Sequence, residues 1–169
     1  MGKGPQLDRD VYFVATTAEE WGLLGATAFA RNPPLPLQSI VAAFNLDSIG
    51  VAKRGTPVAI VGEGLTPLDA EVERVIAAAG RIKTGGDFAQ QFVRRQDGWA
   101  LLQRDVPTLI VSSAFGDPDA YREYAENRYH SANDNLETVE LGAASEDTVL
   151  HVDLVRHFAS IASHPGSAR

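Results

Sequence analysis

Two adjacent glutamates, Glu19 and Glu20, lie where an apolar run passes into a helical pattern, within Thr17-Ala18-Glu19-Glu20-Trp21-Gly22-Leu23-Leu24-Gly25. Adjacent carboxylates repel each other, and open α/β sheets bind their ligands at the ends of strands. A metal ion would relieve the repulsion, with one acid binding the cation and the other moving a proton to or from water on it. The same residues also fit a capping box, in which Thr17 and Glu20 satisfy free backbone amides. The segment by itself leaves both interpretations open.

Asp47 and His130 are the next candidates for metal chemistry. Asp47 follows the apolar run 40–46 directly, and a carboxylate held at that depth needs a partner such as a cation. The alternative is a turn aspartate that bonds its own backbone. His130 lies in Tyr129-His130-Ser131-Ala132-Asn133-Asp134, inside the segment 116–135, which shows no clear period. Long irregular segments are often functional, so His130 is a candidate ligand.

The elements that must position these residues alternate between strands and helices. Apolar runs predict strands at 11–15, 39–46, 58–61 and 106–111. Helical patterns cover 22–31, 68–79, 99–104 and 141–162. This alternation predicts an α/β fold with a mixed, mostly parallel sheet flanked by helices. His151 and His157 fall six residues apart on the last predicted helix, which favours packing or surface roles.

Composition narrows the class of protein. The chain has 169 residues, a net charge of −7 and no cysteine, which predicts one domain without disulfides or thiolate metal sites. The acidic balance argues against nucleic acid as a partner. The sequence has no run of about 20 apolar residues, so it predicts no membrane-spanning helix. Its polar N-terminal residues 1–10 do not resemble a signal peptide. We expect the ends, 1–10 and 163–169, to be flexible.

Taken together, the motifs resemble one family, the co-catalytic zinc aminopeptidases of the bacterial leucyl aminopeptidase type. The resemblance rests on Ala-Glu-Glu-x-Gly-Leu-Leu-Gly, Asn-Leu-Asp-x-x-Gly and Tyr-His-Ser-x-x-Asp, in that order, and covers roughly residues 10–162. It implies a zinc-exopeptidase α/β fold that removes N-terminal residues from peptides with water activated by two zinc ions. By position, Glu19 resembles the general base, Glu20 and His130 resemble ligands of one zinc, and Asp47 resembles a ligand of the other.

The sequence departs from the family pattern in two places. Arg95-Gln96-Asp97 resembles an arginine-serine-aspartate-histidine segment that lies near the substrate in the family, which implies that Asp97 is a candidate substrate-binding residue. The sequence departs from this segment because Gln96 replaces the serine and Gly98 replaces the histidine. The family's upstream His-x-Asp ligands have no counterpart, because only 18 residues precede Glu19 and none is histidine. We therefore expect the C-terminal part of a peptidase domain, truncated at its N-terminal side, with one weakly bound zinc ion or none and little activity alone.

The resemblance also indicates partners and alternatives. It implies a peptide substrate and favours a periplasmic or secreted protein. An uncovered sheet edge or apolar face would favour self-association. Two other functions stay open: a glutaminyl-cyclase-like acyltransferase on the same fold, and a non-catalytic peptidase-like binding or scaffold module.

Overall fold

A computed structural model describes residues 6–165. Within these residues the strands are β1 (Ala43–Phe44), β2 (Ala59–Val61) and β3 (Thr108–Ser112). The α-helices are α1 (Leu24–Arg31), α2 (Asp69–Ala78), α3 (Asp87–Gln90), α4 (Gly98–Leu102), α5 (Pro118–Asn127) and α6 (Gly142–Ala159). Three short 3-10 turns cover Glu19–Trp21, Leu37–Ser39 and Ser113–Phe115. The predicted α/β class is confirmed at this level.

The sheet has β3 at its centre, in the order β1-β3-β2. β1 runs parallel to β3, with Phe44 opposite Leu109, and β2 runs antiparallel to it, with Ile60 opposite Val111. One of these pairings is parallel and one antiparallel, and an isolated parallel bridge joins Val58, next to β2, to Lys83. The predicted mixed sheet is confirmed, whereas its mostly parallel character stays a prediction, because apolar runs do not distinguish the two strand directions.

The core lies on both faces of this small sheet. Because side chains alternate along a strand, Leu109 and Val111 pack with α2 and α6, whereas Ile110 packs into an aromatic cluster on the other face. All five residues of β3 are buried. The predicted apolar stripe of α2 is confirmed, since Val72 and Ile76 are buried against the first face.

The predicted strand at 11–15 is wrong. Residues 11–15 form no strand, and Phe13 is 96% exposed while Tyr12 is 56% exposed. β1, the strand at the sheet's outer side, comprises two residues rather than the predicted 39–46. An apolar run forms a strand only where a neighbouring strand pairs with its backbone. Within residues 6–165, no strand pairs with residues 11–15.

Helix α5 occupies a segment for which no regular structure was expected. Pro118 opens the helix, where its missing amide costs nothing, and the Asp117 carboxylate accepts hydrogen bonds from the Asp119 and Ala120 amides. The expectation that 116–135 is irregular throughout is therefore wrong for Pro118–Asn127. Asp117 followed by Pro118 was the local signal in the sequence from which this helix start could have been predicted.

Both ends of the described chain contact α6. The amides of Asp8 and Arg9 each lie 3.1 Å from the Ala159 carbonyl oxygen. His164 is buried and packs against the Phe158 ring. The rest of the predicted flexible ends, 1–5 and 166–169, lies outside the described residues. Within residues 6–165, none of the helices combines the length and apolarity that crossing a bilayer requires.

Candidate active site

Three of the predicted site residues, Glu19, Glu20 and Asp47, line one cleft with a volume of about 140 Å³. Glu19 and Glu20 lie in the 3-10 turn before α1, and Asp47 follows β1. The opposite wall is largely aromatic. The remaining lining residues are Ser48, Phe92, Arg95, Gln96, Ile110, Phe115, Tyr121, Tyr124 and Tyr129.

His130 reaches this cleft through direct contact with Glu20. Its Nε2 lies 2.6 Å from Oε1 of Glu20, and both side chains remain more than half exposed. The ring of Tyr129 stacks on the imidazole at 3.8 Å between centroids. A pair so exposed contributes about 1 kcal/mol or less to stability. The fold therefore brings a carboxylate and an imidazole to one point without needing them for its own stability.

The backbone beside the site is strained at three positions. Ala18, Ser48 and His130 have φ angles of 56°, 54° and 57°, in the left-handed region that side chains disfavour. Ala18 precedes Glu19, Ser48 follows Asp47, and His130 itself carries the candidate imidazole ligand. Backbone strain of this kind occurs preferentially at functional sites, where surrounding structure maintains it.

Gly25 permits the close packing that places the glutamate pair. A Cβ on Gly25 would lie 2.4 Å from the Thr17 carbonyl oxygen, and the Gly25 amide donates to that oxygen at 2.9 Å. The chain entering Glu19 therefore passes directly over the first turn of α1. This explains why glycine follows the two leucines in the motif.

The capping-box alternative is wrong. Neither the turn Glu19–Trp21 nor helix α1 has a side-chain hydrogen bond at its N-cap. Those N-cap positions are Ala18 and Leu23, both with positive φ, rather than Thr17. Glu20, the acid that a capping box would turn back toward Thr17, contacts His130 instead.

Burial and mutual repulsion act on the acids of the cleft. Burial raises the pKa of Glu19 above its usual range, and the carboxylates of Glu20, Asp47 and Asp97 raise it further. Burial also raises the pKa of Asp47. Hydrogen bonds from Ser48 offset part of that shift, while Asp97 and Glu20 add to it. The cleft therefore concentrates negative charge, which a cation would neutralise.

Asp97 belongs to the same acidic group. Its Oδ2 accepts a hydrogen bond from Thr16 Oγ1, whereas its Oδ1 is buried without a hydrogen-bond partner in the described chain. The charge of Asp97 acts on Glu19 and Asp47. Its proposed role in substrate binding stays a prediction, but the structure places it beside the other acids.

Sequence reasoning missed the residues that form the aromatic wall. Arg95 lies over the Phe92 ring, 5.6 Å from its centroid, and Tyr121 stacks on Phe115. Burial raises the pKa of Tyr124 to about 12, and the carboxylate of Asp134 adds to the shift. The aromatic residues spaced along 115–129 were the available signal, but they fall in the segment for which no helix was expected.

The donors present fit a divalent cation in kind but not in number. Carboxylate oxygen and imidazole nitrogen are ligands that zinc prefers, and Glu20 and His130 present one of each. Asp47 faces the same cleft outside this contact. No group of three or more histidine, cysteine, aspartate or glutamate side chains within residues 6–165 is arranged to hold an ion. The described residues therefore provide one carboxylate–imidazole pair, with a further carboxylate in the same cleft, but no complete set of metal ligands.

An acidic cleft with a carboxylate–imidazole pair at the edge of an α/β sheet is typical of metal-dependent hydrolases. Comparison with family models identifies the hydrolase more closely: the model of peptidase family M28 matches residues 1–153, so the chain belongs to that family. M28 peptidases are generally zinc-dependent and act on peptides. No curated protein matches the chain significantly. The zinc-peptidase resemblance is confirmed, while the leucyl aminopeptidase type stays a prediction.

Proposed function

We propose that the chain carries the general base and three metal ligands of an aminopeptidase domain, which removes N-terminal residues from peptides. The observation that carries the proposal is the contact between Glu20 and His130, because it joins two motifs that are remote in sequence. Asp47 supplies a third carboxylate in the same cleft. Membership of family M28 supports the peptidase class.

In this proposal each residue of the chain has a distinct task. Glu20 and His130 would hold one cation, and Asp47 would contribute to holding a second. When bound, the cation supplies Lewis-acid activation of water and of the scissile carbonyl. Glu19 accepts the proton of the attacking water at its carboxylate and delivers it to the leaving amine. Its raised pKa, caused first by burial and then by its acidic neighbours, suits proton transfer in both directions.

The number of donors sets how well residues 1–169 perform alone. Glu20 and His130 give a cation two protein ligands, and Asp47 by itself holds one only weakly. Structural and catalytic zinc sites use three or four protein ligands. We therefore infer weak binding of a single zinc ion by this chain, and slow turnover.

A non-catalytic binding module is the second candidate function. Its support is the turn 95–98, where a buried Gln96 and Gly98 occupy positions that differ from the family pattern. A Cβ on Gly98 would lie 2.7 Å from Gln96 Oε1, so a histidine at this position would require the Gln96 side chain to move. In this alternative the cleft would bind a peptide without hydrolysing it.

Hydrolysis of an aminoacyl chromogenic amide in excess zinc distinguishes the two functions. The proposal predicts slow release of the chromophore that a chelator abolishes and that an N-acetylated substrate does not give. Glu19→Gln should remove at least about 99% of that rate, the smallest loss typical of a missing general base. Glu126→Gln, which alters an exposed acid outside the cleft, is the matched control. No chelator-sensitive release above the Glu19→Gln background would favour the binding module, and rapid turnover would overturn the inference of slow turnover.

A further inference from the structure

Gln96 is a buried polar side chain with all of its bonds inside the protein. It is 2% exposed, and its Oε1 accepts hydrogen bonds from Asn45 Nδ2 at 2.9 Å and from the Gly98 amide at 2.7 Å. Its Nε2 donates to the Val93 carbonyl at 3.2 Å. A buried amide is costly unless it is bonded in this way. Three hydrogen bonds within the protein therefore hold the side chain of Gln96, which lines the cleft.

The bonds of Gln96 join the two segments that bring aspartates into the cleft. Asn45 follows β1 directly and lies two residues before Asp47, whereas Gln96 immediately precedes Asp97. Asp47 and Gln96 both line the cleft, and Asp97 follows Gln96 directly in the chain. The hydrogen bond between Asn45 and Gln96 therefore connects the two segments that carry the aspartates.

Gly98 belongs to the same arrangement. A Cβ at this position would lie 2.6 Å from Thr108 Cγ2 and 2.7 Å from Gln96 Oε1. Any larger residue would have to displace the side chain of Thr108, which is buried, or the amide of Gln96. The absence of a side chain at 98 thus keeps Gln96 in the position from which it contacts Asn45.

We propose that Gln96 is a positioning residue of the cleft, which acts through Asn45 to fix Asp47 relative to Asp97. The consequence for cation affinity depends on the proposed function, but the consequence for the metal-free geometry does not. The loss of an outer residue that orients metal ligands typically weakens binding 10- to 100-fold. We expect Gln96 to act at the lower end of that range, because Asp47 lines the same cleft as Glu20 but is not a ligand of the cation that Glu20 and His130 would hold.

The first measurement is zinc affinity, by competition with a chromogenic chelator, in a double-substitution cycle. Gln96→Met keeps the length of the side chain without its hydrogen bonds, and Asn45→Leu removes the other half of the link. Each should weaken zinc binding about 10-fold, and the double variant should lose no more than either single variant. Additive losses, or an unchanged affinity in Gln96→Met, would overturn the proposal.

Gln90 offers a matched control for stability. Its Oε1 accepts a hydrogen bond from the Gly62 backbone amide at 3.0 Å, and its Nε2 donates to the Ile60 carbonyl oxygen at 2.8 Å. Gln90 is not among the residues that line the cleft. Gln90→Met should lower the melting temperature as Gln96→Met does, but leave zinc affinity unchanged. Equal losses of affinity in both variants would mean that Gln96 is merely structural. Should Gln96→Met not fold, the zinc affinity of Asn45→Leu is compared with that of Gln90→Met instead, because Asn45 is only half-buried.

The second measurement needs no zinc and separates this proposal from the proposed function. Crystal structures of metal-free wild type, Asn45→Leu and Gln90→Met give the separation of the Asp47 and Asp97 carboxylates directly. We expect the separation to change in Asn45→Leu and to stay at the wild-type value in Gln90→Met. If wild type binds no zinc, the proposed function fails, and this comparison alone decides the role of Gln96. An unchanged separation in Asn45→Leu would overturn it.

Discussion

Nε2 of His130 lies 2.6 Å from Oε1 of Glu20, although 110 residues separate the two in sequence. The imidazole is held in place by the Tyr129 ring and by a left-handed backbone at His130 itself. Both side chains remain more than half exposed, so the contact adds little to stability. We propose that the two groups share a metal ion, which would account for an arrangement that involves backbone strain and adds little stability.

Removing either member of this pair should weaken zinc binding. We expect His130→Ala and Glu20→Gln each to lower the affinity at least about 10-fold, since even indirect changes near a metal cost that much. The free energy of unfolding should change by no more than about 1 kcal/mol in either variant. Titration calorimetry and urea denaturation measure the two quantities.

Glu126→Gln is the control for this pair, because it removes an exposed acid that is not among the residues lining the cleft. It should leave zinc affinity at the wild-type value. A wild-type affinity in His130→Ala would show that the imidazole is not a ligand.

Gly25→Ala should both destabilise the protein and disturb the cleft. Its Cβ would lie 2.4 Å from the Thr17 carbonyl oxygen, and backbone cannot yield as a flexible side chain would. Overpacking of this kind costs about 1–3 kcal/mol. Because the displaced segment leads to Glu19, zinc affinity should fall as well.

Gly85→Ala is the matched substitution, since nothing lies within 4 Å of a Cβ at Gly85. It should be neutral or stabilise the protein by up to about 1 kcal/mol. Comparison of the two variants by urea denaturation tests the packing argument, which equal stabilities would refute.

The acid stability of the protein should depend on Glu71, outside the cleft. Its carboxylate contacts His157 Nε2 at 2.7 Å and His164 Nδ1 at 3.0 Å. Burial alone would raise the pKa of Glu71, but the hydrogen bonds and charges of the two histidines outweigh burial and lower it below 4.5. The folded form then binds fewer protons than the unfolded chain.

The sign of the pH dependence follows from that difference. The contribution of Glu71 to stability is fully present above pH 4.5 and is lost as the pH falls through its lowered folded-state pKa. Glu71→Gln should flatten the stability profile in this acidic window, as measured by denaturation at a series of pH values. An identical slope in wild type and variant would contradict the assignment.

We expect the chain to self-associate through the exposed apolar segment Val11–Val14. Phe13 is almost fully exposed, and β1 forms one edge of the sheet in the described residues. Exposed apolar segments and unpaired sheet edges each favour association, although the net charge of −7 opposes it. The average mass in light scattering should therefore rise with protein concentration and with salt.

Phe13→Asp should reduce this association. Leu136→Asp is the control, because Leu136 is also exposed, at 86%, but lies elsewhere in the chain. A wild type that stays monomeric at every concentration would exclude the surface, and an equal effect of both variants would mean that the association is not localised at 11–14.

Elements with a local signal could be predicted from the sequence. Residues 68–79 have an apolar stripe at helical spacing, and Val72, Val75 and Ile76 of this stripe are buried in helix α2. Ala79, also predicted on the stripe, follows the helix and is exposed. The motif around Glu19 likewise predicted a functional turn before a helix. The strand predicted at 11–15 failed because a strand depends on a neighbour that hydropathy cannot show. Helix α5 was missed because its polar composition hides the period, although Asp117 and Pro118 mark its start.

The candidate site was predictable in its residue types but not in its arrangement. Glu20 and His130 were predicted as ligands of one ion, and the structure places them in contact. Gln96 could not be identified as the link to Asn45, because a hydrogen bond between residues 51 positions apart leaves no local pattern. The same holds for Gly98, whose lack of a side chain matters only through its packing against Thr108.

The most direct measurement is the anomalous scattering of a crystal soaked in zinc. The account predicts a zinc peak in the cleft, at roughly 2.0–2.2 Å from both Oε1 of Glu20 and Nε2 of His130, with Asp47 on the same side of the cleft. A cleft without zinc, with the His130 imidazole turned out into solvent, would contradict it.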